Sequence, residues 1–418
     1  MEFCTQIATQ SILNEMNKNV SSAENVLMSP ISICLMLNIL ASGAGGKTLE
    51  QLLKFLGSNS IEDLNQKSSL MMSLLHSSSA PPKHPMGFFP TFPHNTEQKQ
   101  LQQLQQQQPL FSVANAILVD KQYQLIPSFK EITETIYKAK VENVDLKFEA
   151  DKVRENVNLW VEKETRGLIK EILPKTVELA PPLSLANALY FRGSWEDPFM
   201  AWKTKHKKFH ILNREIIDVP FLNSYDVYRS YASLDDFKVL KLPYERGIGD
   251  DGKPLQFSMY LLLPHDTYGL QDMVKKFNSD PKLLAPKSLN NHLRKVELSR
   301  VSIPKMKFSY GVDVKELLED QGLTLPFSVN ADFSNMVNVN PVTNVYVNIM
   351  VHKSCIEVNE EGTEAAAATF ARIAFGFDPD CEPTPVSTFV ADHPFMFMIV
   401  EEFSNLVVST GAVLDPQN

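Results

Sequence analysis

The stretch EEGTEAAAATFARIAF, Glu360 to Phe375, sets four consecutive alanines beside a Gly-Thr pair and then alternates small with large residues. Alanine is the best helix former. Yet Gly362 breaks a helix start, and no apolar stripe at 3.6 spacing runs through the segment. Period two fits better. One set is Thr363, Ala365, Ala367, Thr369, Ala371, Ile373 and Phe375, small and uncharged for five positions and apolar at its end. The other holds Glu364, Ala366, Ala368, Phe370, Arg372 and Ala374, with both charges. One face suits a tight core and the other suits water. The flanking FGFDPDCEPTP reads as a loop, so this is a loop that carries the pattern of a buried strand.

The chain around it has 418 residues, 44% hydrophobic and 21% charged, with ample apolar material for a large core. A net charge of −9 argues against a nucleic-acid surface. Nothing approaches the ~20 apolar residues that a membrane helix needs. ISICLMLNILA, the longest candidate, contains Ser32 and Asn38. No basic start followed by an apolar block marks a secretory signal, so a cytoplasmic protein is expected, with extracellular release by an unconventional route left open. Cys4, Cys34, Cys355 and Cys381 lie far apart without C-x-x-C spacing, which fits reduced thiols, Cys34 as a small buried hydrophobe. In that setting the glycosylation triplet Asn19-Val20-Ser21 is idle.

The first half reads as helical. Ile7, Ile12 and Leu13 recur at helical spacing, and SPISICLMLNILASGAGG is a mostly buried helix with Pro30 in its first turn. In TLEQLLKFLG, Thr48 and Gln51 form an expected capping box, Leu49, Leu52, Leu53 and Leu56 one face, and Gly57 a stop. Residues 77–109, rich in Pro, Gln and Ser, read as a disordered surface insertion with no assigned partner. Beyond it FSVANAILVD is a strand, and ADKVRENVNLWVEKETRGLIKEIL begins as an amphipathic helix ending near Gly167, with Val153, Val157, Trp160 and Val161 on one side. LSLANALYF and FSMYLLLP are near-continuous apolar strands, KVELSRVSIPKMKFSY alternates, and FMFMIVEEFSNLVVSTGAVLD is a hairpin. Without a βαβ repeat the class is α+β with large sheets.

Chemical motifs fail one by one. ASGAGGKT, Ala41 to Thr48, approaches a phosphate loop, but the run before it is a helix where that motif needs a strand. His206 and His210 sit in KTKHKKFHIL, better read as a solvated basic patch than as metal ligands. No G-x-S-x-G elbow occurs. His352, in the expected strand NIMVHKSCIEV, reads as a hydrogen-bonded core residue. No catalytic constellation, cofactor or metal site is expected.

A set of segments in order closely resembles the serpins, plant serpins most of all. They are NVLMSPISICLMLNILASGAGGKTLEQLLKFL, NLWVEKETRGLIKEILP, LANALYFRGSWEDPF, FSMYLLLP, SIPKMKFSYG, HKSCIEVNEEGTEAAAAT, FVADHPFMF and GAVLDP. The resemblance implies one domain over 1–418, an α+β serpin fold of about nine helices and three β-sheets, and an exposed reactive-centre loop near 360–388. It implies a monomeric protease inhibitor acting by suicide cleavage, with a covalent acyl-enzyme complex to its target. The loop then inserts into the main sheet, with Thr363, Ala365, Ala367, Thr369, Ala371 and Ile373 pointing inward and Glu364 and Arg372 outward. The hinge is Glu360, Gly362, Thr363, Glu364, Ala365, Ala366, Ala367, Ala368 and Thr369. Ser29, Ser32, Asn187 and His352 match the family's shutter, Trp195 the tryptophan under the top of the sheet, and Glu360 with Lys305 a salt bridge at the hinge base. Ser409-Thr410 departs from the usual aromatic and apolar pair, which keeps a non-inhibitory binding or scaffold role as the alternative.

Plant-serpin spacing from Gly362 puts the cut between Gly376 and Phe377. Phe375 before Gly376 suits papain-like cysteine proteases. A one-residue shift puts Phe375 itself before the cut and suits a chymotrypsin-like serine protease. Arg372-Ile373 is the third choice.

Overall fold

The computed structural model describes residues 2–18, 24–75, 109–249, 252–338, 344–363 and 387–417. The glycosylation triplet, all of the insertion except Pro109, and the loop from residue 364 to 386 lie outside the described residues.

A six-stranded sheet runs in the order Met306–Asp313, Val347–Val358, Gly362–Thr363, Leu183–Ser194, Leu110–Asp120 and Lys140–Val144. Leu183–Ser194 is buried on both sides, as its unbroken apolar run predicts. Leu185, Leu189 and Phe191 point into the main core, whereas Ala186 and Ala188 face a second apolar cluster on the other side. Beneath the sheet lies the helix Pro30–Gly43, every residue of it buried. Ser29 caps it, its Oγ accepting from the Ser32 amide at 3.2 Å, and Pro30 fills the first turn.

A nine-stranded sheet is built on the 18-residue strand Ile216–Ser233. The first six residues of that strand pair with Lys205–His210, its last four with Phe237–Pro243. It therefore joins two sheets edge to edge, and with the six-stranded sheet these make the three expected. Two short two-stranded ribbons are added. The described residues contain nine α-helices. The alternating run near residue 300 splits at Lys305 into Arg294–Pro304 in one sheet and Met306–Asp313 in the other.

The capping box does not form. The helix starts earlier, as Gly46–Leu56 with Gly45 at its cap, and the Thr48 Oγ1 instead accepts from the Asp332 amide at 2.9 Å. Gln51 serves the 322–325 turn, accepting from the Leu325 amide at 2.8 Å. Gly57 does end the helix, in the left-handed conformation that glycine adopts without penalty.

The outer face of the six-stranded sheet is roofed over its lower part by the helix Ala150–Glu164 and the segment that follows. Val153, Val157, Val161, Ile169, Ile172 and Leu173 pack there on Ala186, Ala188 and Val351. The roof is clasped by polar contacts: Arg154 donates to the carbonyls of Pro174 and Val177, and Asn158 Oδ1 accepts from the amides of Ile172 and Leu173. We predict that Arg154→Ala loosens this roof at a cost of about 2–4 kcal/mol, since two charge-assisted bonds are lost and two carbonyls left wanting. Urea unfolding, with hydrogen exchange at Ile169 to Leu173, checks it; unchanged exchange there would refute the clasp.

Candidate functional site

At the top of the six-stranded sheet the chain leaves Val358, turns through Asn359–Glu361 and re-enters the sheet as Gly362–Thr363. This two-residue strand is a wedge. Thr363 pairs with Val358 on one side and Gly193 on the other, and Gly362 pairs with Ser194. Space dictates the glycines. A Cβ on Gly362 would sit 2.1 Å from the Gly193 carbonyl oxygen, and one on Gly193 would sit 2.9 Å from both Phe191 and Tyr244 ring atoms. The Asn359 side chain closes the turn by accepting from the amides of Glu361 and Gly362.

Thr363 is fully buried, its Oγ1 2.8 Å from the Tyr244 hydroxyl. Tyr244 stacks on Trp195 with ring centroids 4.5 Å apart. Trp195 reads the turn twice: its indole N–H donates to the Asn359 carbonyl at 3.1 Å, its amide to the Glu361 carbonyl at 2.8 Å. Glu360 accepts from Lys305 at 2.9 Å and from the Thr204 hydroxyl at 2.8 Å. Burial alone would raise the Glu360 carboxyl, but Lys305, a backbone hydrogen bond and Thr204 together overcome it and hold the pKa below its ordinary value. The structure thus brings Trp195, Lys305, Glu360, Gly362 and Thr363 into one cluster. Tyr244, Thr204 and Asn359 were missed by sequence reasoning.

Below the wedge, Val347–Val358 and Leu183–Ser194 pair directly and in parallel, closing a seam from Ile349 to Cys355. His352 and Asn187 are register partners across it, His352 Nδ1 lying 2.7 Å from Asn187 Oδ1. The Ser29 amide donates to His352 Nε2 at 3.0 Å, so the proton sits on Nδ1 and is donated to Asn187. Asn187 Nδ2 in turn donates to Asn115 Oδ1 at 2.6 Å, and the Ser354 hydroxyl shares His352 Nε2 at 2.9 Å. Ser29 Oγ donates to the Val408 carbonyl. Ser32 contributes only its amide, because its hydroxyl is buried without a hydrogen-bond partner. Asn115 and Ser354 are further members of the network; each is a polar residue on the inward parity of an otherwise apolar strand, the one signal that could have found them.

Other candidates fall elsewhere. The phosphate-loop look-alike ends against Asp332, whose carboxylate would lie 2.9 Å from a Cβ on Gly45, an acidic neighbour that disfavours a phosphate. His206 lies 3.3 Å from Asp218 on the strand Lys205–His210. Cys34 and Cys355 are free thiols. Among the described residues no group of three acidic, His or Cys side chains could hold a metal ion, and no helix is long and apolar enough to cross a membrane. Ser409 and Thr410 are buried, and Thr410 donates to the Phe397 carbonyl at 3.1 Å, so that hydroxyl is satisfied within its own hairpin. The hinge residues Glu364 to Thr369, and Arg372, Phe375, Gly376 and Phe377, lie outside the described residues.

The family model described as serpin (serine protease inhibitor) matches residues 5–416. Serpin-ZXA of Oryza sativa subsp. japonica is 38% identical over 399 residues, covering 94% of this chain and 91% of the relative. Serpin-ZX of Arabidopsis thaliana is 38% identical over 404 residues, 95% of this chain and 93% of the relative. The solved structure of Arabidopsis AtSerpin1, in its native stressed conformation, superposes with a TM-score of 0.80 at 35% identity, covering 100% of this chain and 98% of that one.

Complete burial pulls the pKa of His352 from its ordinary 6.5 down to about 3. The imidazole is neutral in the folded protein, while the unfolded chain takes up a proton near pH 6.5. Its contribution to stability is therefore full above that value and lost as pH falls toward 3. Between pH 7.5 and 5.0 we expect a loss of about 2 kcal/mol from this group. Glu360 adds its own loss only near and below its ordinary 4.5. Urea midpoints at the two pH values test this; a His352→Gln variant with the same pH slope would refute it.

Proposed function

This chain belongs to the serpin family, of the plant type, and we propose that it disables its target protease as a suicide substrate whose cleaved loop inserts into the six-stranded sheet. It is a protease inhibitor rather than an enzyme, and its partner is a target protease. The wedge carries the proposed mechanism: the first two residues of the alternating segment already occupy the slot between the two seam strands. Continuing that antiparallel register downward brings Ala365 between Phe191 and Ile356, Ala367 between Leu189 and Ser354, Thr369 between Asn187 and His352, and Ala371 between Leu185 and Met350.

The inward set fits that path. Alanines meet large core side chains, where bulk would cost packing energy. Thr369 meets the polar pair, and its hydroxyl would replace the His352–Asn187 hydrogen bond that separation of the strands breaks, so neither buried group is left unpaired. On the other face Phe370 would fall between Ala186 and Val351, under the helical roof, which suits an aromatic ring better than a charge. The solved Arabidopsis relative is titled as a native stressed conformation. The same state is proposed here, with strand pairing withheld until the loop is cut.

Phe375 ahead of Gly376 supports a papain-like cysteine protease as target, and a cut after Phe375 a chymotrypsin-like serine protease. A panel of both classes with trypsin tests this by denaturing gel and by mass spectrometry of the released C-terminal peptide. A covalent complex with a peptide beginning at Phe377 supports the first target, one beginning at Gly376 the second. A peptide beginning at Ile373 with efficient trapping of trypsin contradicts both. Cleavage without any complex would move the protein to the binding or scaffold role.

Thr363→Arg would place a guanidinium against the Tyr244 hydroxyl with no carboxylate to meet it, a cost of several kcal/mol. The expected result is a shift from covalent complex to simple cleavage. An unchanged ratio would sink the proposed role of Thr363 in loop insertion.

A further inference from the structure

We propose that a cationic–aromatic face beside the strand Ser387–Val390 is a second docking surface for the target protease, one that engages acidic surface next to the protease cleft. The proposal rests on the inhibitory reading and deepens it. Ser387–Val390 is where the chain returns to the sheet after residues 364–386. Thr388 pairs with Arg300, and Arg300 pairs in turn with Tyr225. Beyond Tyr225 lies the short turn Ala201–Lys203, with Lys203 Nζ 5.8 Å from the Tyr225 ring and 5.1 Å from that of Trp202. The row thus runs from the end of the reactive loop outward to an indole that is 76% exposed.

The row is built on a buried polar footing. Asn223 and Ser302 are fully buried, and Asn223 Nδ2 donates to the Lys203 carbonyl at 2.8 Å, pinning the turn to the sheet. Asn223 Oδ1 accepts from Ser302 Oγ at 2.7 Å and from Lys207 Nζ. Ser302 Oγ also accepts from Lys207 Nζ at 2.9 Å and Arg300 Nε at 3.1 Å. Neither Lys207 nor Arg300 has a carboxylate partner among the described residues. Of the acids on neighbouring strands and turns, Asp218 lies against His206 and Asp197 against Arg229. Burial, with Arg300 and Lys205 nearby as lesser causes, pulls the Lys207 pKa down to about 8.

A positive, tryptophan- and tyrosine-bearing face on a chain of net charge −9 is complementary to acidic surface and has the composition of a binding hot spot. It is also continuous with the strand Ser387–Val390, which follows directly in sequence on the segment proposed to be cut by the protease.

The test uses the full-length protein and a panel protease that acts on the loop. Trp202→Ala with Lys203→Glu leaves Asn223 and Ser302 in place. At low salt the second-order rate of complex formation should fall about tenfold, as for other steered encounters, and the steep salt dependence of the wild type should flatten. The ratio of complex to cleaved protein should stay the same, because insertion is untouched. Should the wild type be cut but not trapped, the suicide reading fails, and the rate of loop cleavage then reads the same docking surface with the same expected tenfold loss. Wild-type rates and salt slope in the variant would overturn the proposal. So would heparin retention lost in the variant without change in either rate, which would assign the face to a polyanion.

Discussion

A side-chain hydrogen bond, from His352 Nδ1 to Asn187 Oδ1, crosses the seam on which the six-stranded sheet closes, alongside the backbone ladder. Its donor and acceptor are register partners on parallel strands, so it is the polar stitch between two otherwise apolar edges. Everything around it fixes its direction. The Ser29 amide settles the tautomer, Asn115 orients the amide of Asn187, and the buried helix Pro30–Gly43 brings Ser29 there from the far end of the chain. In so dry a place, breaking the stitch without replacement would leave two buried polar groups unpaired, which costs more than a bond earns in water. The seam is therefore shut by a contact that only a polar intruder of the right position can open cheaply.

Much of this was legible in the sequence, and the reasons are local. The strands LSLANALYF and FSMYLLLP carry their own two-sided burial, and the glycine stop after Leu56 is set by backbone geometry. Thr48 was misread because a short motif near it satisfied a helix-capping pattern, while the hydroxyl was claimed by Asp332, 284 residues away. Asn115 and Ser354 escaped for a related reason: an isolated polar residue in a strand says nothing until its partner strand is placed. Periodicity reports that two sides of a strand differ and not what covers them: the outer face of Leu183–Ser194 lies under the helix Ala150–Glu164.

The wedge of Gly362 and Thr363 has a further property. The parallel offset between the two seam strands is the same offset implied by the antiparallel pairing of the wedge with each of them. A third strand could thus enter without either neighbour sliding along its own axis. Opening needs lateral separation alone, which leaves the rest of the hydrogen-bond ladders, and the core beneath, in register.

The roof over the seam sets the terms on which such opening happens. Its apolar underside spans the strands on both sides of the seam, and Arg154 and Asn158 hold it down, so strands that part must first lift a packed layer. Events of this sort resemble partial unfolding, whose rates change about 3–6-fold for every 10 °C. In the proposed mechanism insertion races against hydrolysis of the acyl-enzyme, a chemical step governed by the protease and not by this roof. The balance between trapping and escape then becomes a function of temperature written into the inhibitor, so the same protein would be a spendthrift substrate in the cold and an efficient trap in the warm.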